Sequence, residues 1–375
     1  MASSDRQNSS VTIYITGSYV YGYASEAQIQ FRTPIVFPSH DSVVNNDAVI
    51  CHRMLSAYRL VIAEIRKYIS VSSVTLIVGY PWSSIEVVPI TYDRSHDFRV
   101  TKEQVATCLR PPRETCEMRI KDDGMIMQMV SFHPETYKLN GYMVDDPWGS
   151  TVRKLSIDVV AVYMNKTLYS EIMRSTILAL HTDNISIYHE DILISRIVRA
   201  HSIDALVFNL GVSATTIMSV NQEGSFKHAV IQGGTRDLAH VSAHALHTDI
   251  TSAMNLLHMM WEGHLSAMLY DKVYHVYEKY RDVFLGHCYR ALEEWYHTDG
   301  ALPTHIYIAG EIPPRNVLRI HTNDLDPIIP FFKKVKHDNL QEGNENTIIT
   351  DIENITVGQE QSNVWQMIQA YMCVI

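Results

Sequence analysis

Two rhythms of apolar and polar residues alternate along this chain. From Val11 to Ala24, and again from Gln28 to Phe37, β-branched and aromatic residues alternate with polar ones. Gly17 and Gly22 interrupt the first run, which predicts a strand, a turn and further strands. Asn46 or Asp47 then caps a helix to about Ile69, because Val49, Met54, Tyr58, Val61, Ile62 and Ile65 recur at helical spacing. Val74 to Tyr80 is almost wholly apolar and stops at Pro81, as expected of a strand buried on both faces.

A second group follows, with a predicted strand at Ile85 to Thr91 and a helix from Thr101, as its cap, through Leu109. Pro111–Pro112 is expected to break that helix. Strands at Met125 to Phe132 and Leu155 to Tyr163, then a helix capped by Thr167 and ending at Leu180, complete an α+β module. Ile185 to Tyr188, a helix through Ala200 and Ala205 to Leu210 resume strand–helix–strand alternation. Met218–Ser219 and Lys227 to Ile231 predict a hairpin closed at Gly224. From Asp237 to Tyr296 the period is helical, with a break expected near Gly263, and Ile306 to Ala309 is an apolar strand. Lys333 to Asn346 reads as a polar loop, Thr347 to Ile352 and Ile355 to Val357 as strands, and Asn363 as the cap of a last helix.

Composition narrows the classes. A chain of 375 residues is long for one core, so two or more lobes are expected. With 46% hydrophobic and 19% charged residues it is suited to packed cores rather than disorder. The net charge is −10 and no block of Lys and Arg occurs, which argues against nucleic acid as partner, because neutralising phosphates needs clustered cations. No run approaches the ~20 apolar residues of a membrane-spanning helix, so direct membrane insertion is not expected. The polar stretch Met1 to Ser10 does not read as an export signal. Cys51, Cys108, Cys116, Cys288 and Cys373 are odd in number and lack CxxC spacing, the usage of reduced thiols in the cytosol.

Three glycine-bearing turns sit in or just after strands: Ile15-Thr16-Gly17-Ser18, Asn209-Leu210-Gly211-Val212-Ser213-Ala214-Thr215-Thr216, and Gly233-Gly234 before a helix. Glycine allows the backbone to approach a phosphate, which successive N–H groups and Ser or Thr hydroxyls then cradle. Singly, each is most simply a turn. In order, two glycine hairpins and a later strand ending in Gly310 match a duplicated two-lobe α/β fold with a nucleotide held between the hairpins.

On these motifs the chain resembles the bacterial actin-like proteins FtsA (cell division) and PilM (type IV pilus assembly). Leu139-Asn140-Gly141-Tyr142, Asp146-Pro147-Trp148-Gly149 and Leu155-Ser156-Ile157-Asp158-Val159 look like the end of their small inserted subdomain, and Val78-Gly79-Tyr80-Pro81-Trp82 with Val100-Thr101 like its entry point. The resemblance implies an actin-like (ribonuclease H-like, duplicated) α/β fold with an inserted SHS2-like α+β subdomain. It divides the chain into a first lobe (1–82), the insert (83–165), the first lobe continued (166–204), a second lobe (205–330) and C-terminal strands and a helix on the first lobe (331–375). Gly17, Ser18, Asn209, Gly211, Ser213, Thr215, Thr216, Gly233, Gly234 and Gly310 would then surround the nucleotide, ATP.

The departures point the other way. Both family loops begin with Asp; here Ile15 and Asn209 stand there, and Val212 and Ser213 replace glycines. Without the two carboxylates, magnesium and its attacking water lose their organisers. No catalytic residue and no metal ligand are therefore assigned. The expected role is a pseudo-ATPase scaffold that binds the short cytoplasmic tail of a membrane protein, or its own copies, at the inner face of the membrane. The alternative is an active ATPase or phosphotransferase with Asp237 or Glu311 as base. A third reading, a zinc site on His240, His244 and His247, competes with chance scatter among 19 histidines. Cys51 and Cys288 read as structural, and Trp261, Tyr270, Tyr274, Tyr277 and Tyr280 as a core stripe or a partner groove. Val364, Met367, Ile368, Tyr371 and Met372 form an apolar face with no basic residue after Lys336, unlike a membrane-surface helix.

Overall fold

A computed structural model describes residues 8–24, 29–35, 47–117, 126–200, 204–221, 226–261, 263–299, 302–303 and 305–310. The described residues divide into two compact units, broadly those up to 200 and those from 204 to 310. The expected features at Gly224, Glu311 and 331–375 lie outside the described residues.

In the first unit, β1 (Asn8–Ile15), β2 (Tyr19–Ala24) and β3 (Ile29–Pro34) form an antiparallel meander. After α1 (Asp47–Tyr68), β4 (Ser70–Val78) pairs parallel to β1, and β9 (Ile185–His189) pairs parallel to β4, giving the order β3-β2-β1-β4-β9. Alternation along β1 sends Val11, Ile13 and Ile15 into a core with Met54, Tyr58, Val61 and Ile65 of α1 and Leu168 and Ile172 of α3 (Lys166–Leu180). All of these are at most 3% exposed. A hydroxyl pair buried there is satisfied internally, Tyr58 Oη meeting Thr176 Oγ1 at 2.5 Å.

Between β4 and α3 the chain builds a separate sheet, β5-β8-β6-β7, from β5 (Ser83–Arg99), β6 (Met127–Leu139), β7 (Tyr142–Val144) and β8 (Thr151–Asn165). Its central strand β8 sends Leu155, Ile157 and Val159 to one face, with Val105 of α2 (Lys102–Glu117), and Val160 and Val162 to the other, with Ile192 of α4 (Glu190–Ala200). Thr101 caps α2 as expected, its hydroxyl accepting from Gln104 N–H while Gln104 Oε1 accepts from Thr101 N–H. The expected break at Pro111–Pro112 does not occur. The helix runs on to Glu117, because Val105 before the prolines and Cys116 after them are both buried against the sheet, which outweighs two missing N–H donors. The cap of α3 also moves: it is Asn165, whose Oδ1 accepts from both Thr167 and Leu168 N–H.

The second unit repeats the first pattern. β10 (Ala205–Leu210) pairs antiparallel with β11 (Ala214–Val220), β12 (Phe226–Gln232) lies outside β11, and β13 (His305–Gly310) pairs parallel with β10. The order β12-β11-β10-β13 is that of β3-β2-β1-β4. Three helices intervene: α5 (Thr235–Ala245), α6 (Ile250–Trp261) and α7 (Ala267–Asp299). The helical stretch is thus broken twice, at 246–249 as well as near Gly263. Leu206, Phe208 and Ile217 pack on Phe284, Cys288 and Leu292 of α7.

Candidate functional site

In each unit the candidate residues fall at the carboxyl ends of the parallel strands, where open α/β sheets hold ligands. In the second unit Asn209 pairs with Thr216 and Leu210 with both Thr215 and Gly310. The turn Gly211–Ser213 and the β12–α5 turn Gly233–Gly234 join them. Eight of the ten candidates therefore come together here, and Gly17 and Ser18 lie in the first unit.

The hydrogen bonds decide what this corner can do. Gly211 N–H closes the hairpin on Ala214 O at 3.0 Å. The carbonyls of Gly211 and Val212 accept from Thr235 N–H (3.2 Å) and Arg236 N–H (2.9 Å), the opening donors of α5. Gly234 N–H donates to Asp237 Oδ2 at 3.0 Å. A helix N-terminus attracts anions because its leading N–H groups lack partners. Here three successive donors, at Gly234, Thr235 and Arg236, are taken by the protein itself. The approach is so close that a Cβ at Gly234 would collide with the carbonyl oxygens of Gly211 and Val212. Thr215 Oγ1 donates to Gly233 O (3.1 Å) and Tyr280 Oη to Gly234 O (3.0 Å), which fastens the turn from two sides.

Asp237, one of the two candidate bases of an acid–base mechanism, is the third residue of α5, and its side chain turns back to the N–H of Gly234 at the cap position. Burial pushes its carboxyl above the usual range, against the Gly234 hydrogen bond and the nearby charges of His240 and Arg236. Burial, and then the charge of Asp237, raise Tyr280 as well. Asn209 is 8% exposed and Thr216 2%, both inside the sheet end rather than on an open surface.

The first unit closes its turn with a side chain. Thr16 Oγ1 accepts from Ser18 N–H (3.3 Å) and Tyr19 N–H (3.0 Å), and Thr16 N–H donates to Tyr19 O (2.9 Å). Ile15, where the resembled proteins carry an acid, is fully buried in the apolar core. Trp82 Nε1–H donates to Thr16 O at 2.6 Å and Gly79 N–H to Ile15 O at 3.1 Å.

Sequence reading missed the polar group beside this turn. Tyr14 donates its hydroxyl to Glu190 Oε1, and Gly79 lies so near Glu190 Oε2 that it has no room for a Cβ. Glu190 is 6% exposed and its neighbour Asp191 fully buried. An acidic pair opening a helix reads as solvated first-turn charge, and Tyr14 as one more aromatic in an alternating strand; nothing local signals that they meet.

The other candidates separate. Helix α5 ends at Ala245, so His247, at φ 52°, lies beyond the face that carries His240 and His244. Among the described residues no group of three or more His, Cys, Asp or Glu could hold a metal ion. Cys288 is on the core-facing side of α7 and its thiol is pushed up to about 12 by burial, the reverse of an activated nucleophile. Of the tyrosine stripe, Tyr277 is buried, Tyr274 and Tyr280 half-buried and Tyr270 exposed. No described helix is long and apolar enough to cross a membrane.

No protein-family profile matches the chain, and no curated protein matches it. Solved structures do. A PilM–PilN type IV pilus biogenesis complex is 12% identical, covers 80% of this chain and 81% of that one, and has a TM-score of 0.46. A MamK double helical filament is 9% identical over 87% of this chain and 92% of that one, TM-score 0.45. The ethanolamine utilization protein EutJ from Carboxydothermus hydrogenoformans is 10% identical over 81% and 76%, TM-score 0.38. The fold assignment rests on the strand order, built twice as a meander plus a parallel neighbour: this is an actin-like α/β chain.

Proposed function

We propose that this chain is a scaffold of the FtsA/PilM type that works by binding protein, with nucleotide binding weak or lost. The observation that carries the reading is that amides at both glycine turns are engaged by the protein itself. Thr16 Oγ1 takes the amides of Ser18 and Tyr19, and Gly211 O, Val212 O and Asp237 take those opening α5. A phosphate would have to displace these bonds, and neither Ile15 nor Asn209 offers a charge to hold magnesium. The alternative ATPase or phosphotransferase is not favoured, because Asp237, one of its two candidate bases, is engaged by the Gly234 N–H at the start of α5. Residues 83–165, with their own sheet and core, are proposed as the inserted subdomain that receives the partner. That partner is the short cytoplasmic tail of a membrane protein or another copy of the chain, at the inner face of the membrane in a pilus-type or division-type assembly.

Calorimetric titration of the purified chain with ATP, with and without magnesium, tests the reading. The expected result is no heat of binding up to millimolar ATP, or weak binding indifferent to magnesium. Micromolar affinity that strengthens with magnesium, followed by turnover that Asp237→Asn abolishes, would overturn it in favour of the enzyme.

A further inference from the structure

Helix α4 of the first unit is held at two places by buried charge. At its start Glu190 accepts from Tyr14 Oη of β1, one residue before Ile15 and two before the turn at Thr16. At its other end Arg196 forks onto Glu135 of β6, Nη2 to Oε1 at 2.7 Å and Nε to Oε2 at 3.1 Å. Arg199 adds Nη2 to Oε2 at 3.0 Å and Nη1 to the Glu135 carbonyl at 3.3 Å. His133 Nε2 stands 3.2 Å from Oε1, and the Glu135 side chain is 4% exposed. Burial pushes this carboxyl up, but the close His133 ring, the Arg196 hydrogen bonds and the charges of both outweigh it and hold it at about 2. Between the two ends Ile192 packs against Val160 and Val162 of β8.

A bidentate Arg–carboxylate pair fixes distance and angle together, and a buried carboxylate stripped of its cations is strongly destabilising. β6 and the second half of α4 are therefore bound to move as one body. The register shift between Pro134 and Thr136 turns β6 at the position from which Glu135 reaches the helix. The buried phenol–carboxylate bond passes any displacement of the first turn of α4 to β1 and so to Thr16, which organises the glycine turn.

We propose that α4 is a coupling strut: engagement of the β5-β8-β6-β7 sheet by a partner is transmitted through Glu135, α4 and Glu190 to Tyr14 and the first glycine turn. The inference rests on the reading of residues 83–165 as the part that receives the partner, and on the geometry of the first unit; it holds whether or not the chain binds nucleotide.

Amide hydrogen exchange of the full chain, read peptide by peptide, tests it. Glu135→Gln is expected to raise exchange in 127–139 and 190–200 and also, by about threefold or more, in 14–19. Tyr14→Phe keeps the packing and removes the hydroxyl; coupling is reciprocal, so it is expected to raise exchange in 127–139 as well. The double variant is expected to fall short of the product of the two single effects, the mark of one shared element. Confinement of the Glu135→Gln effect to 127–139 and 195–200, or fully multiplicative effects in the double variant, overturns the proposal. Should Glu135→Gln fail to fold, Arg199→Lys, which leaves the Arg196 fork in place, is read against Tyr14→Phe by the same criteria.

Discussion

The sheets β3-β2-β1-β4-β9 and β12-β11-β10-β13 carry the same turn at the same topological place, between a central strand and its antiparallel neighbour, and satisfy it differently. In the first, the hydroxyl of Thr16 reaches forward to the amides of Ser18 and Tyr19. In the second, the main-chain carbonyls of Gly211 and Val212 face the opening N–H groups of α5, whose own acid, Asp237, takes the N–H of Gly234. Both hairpins carry a backbone closing bond, but the first adds a hydroxyl from within and the second adds the helix beside it. The strand order required a tight reversal in both places, and each local sequence found its own acceptors. The repeated fold thus repeats the turn, while the amides of Ser18 and Tyr19 in one and of Gly234, Thr235 and Arg236 beside the other are engaged by different acceptors.

The sharpest way to break this comparison is to put the missing acids back. Ile15→Asp places a carboxylate at a fully buried apolar position and is expected to cost roughly 3–5 kcal/mol, read as a large fall in the thermal midpoint of the first unit. Asn209→Asp, at a polar strand end, is expected to cost far less. Recovery of the Ile15→Asp midpoint by magnesium and ATP would show that the turn still forms a metal site and would defeat the scaffold reading.

A smaller effect separates the two closures. Gly234→Ala drives a Cβ into two carbonyl oxygens of the neighbouring turn and is expected to destabilise the second unit by about 2–4 kcal/mol. Thr16→Val removes a hydroxyl that serves two amides, and is expected to cost about 1–2 kcal/mol. Denaturant unfolding followed by a probe in each unit measures both; equal costs would mean the two turns are held equally tightly.

The smallest effect is in pH. The folded-state carboxyl of Asp237 is raised, so between its ordinary and raised values the folded chain binds more protons, and stability falls as pH climbs through that interval. The carboxyl of Glu135 is held at about 2, so its contribution is complete above the ordinary carboxyl range and is lost as pH falls toward 2. Acidification from neutral pH is therefore expected to weaken the first unit while relieving the second. Asp237→Asn should abolish the second trend: the midpoint of the variant relative to the unchanged chain rises with pH. A flat difference between pH 4 and 8 would place Asp237 in water.

Much of the architecture was legible because it is local. Alternation in Val11 to Ala24 and the apolar run ending at Pro81 announce the first sheet, and the helical spacing of Met54, Tyr58, Val61 and Ile65 becomes the buried face of α1. Where reading failed, packing had overruled propensity: α2 passes through two prolines because the residues on both sides of them are anchored. The extra break at 246–249 carries no Gly or Pro, so the periodicity ran through it unmarked.

The candidate site divides in the same way. The glycine turns, the absent acids at Ile15 and Asn209 and the helix start after Gly234 are properties of consecutive residues, and the sequence by itself determined them. Whether the amides of those turns stay open was decided only by the tertiary structure. So was the meeting of Tyr14 with Glu190, 176 residues apart, and of Glu135 with Arg196, 61 apart. The physical reason is that the period of a strand or helix is written in neighbouring side chains, whereas the partner of a buried polar group is whichever distant group the packing of the core brings within reach.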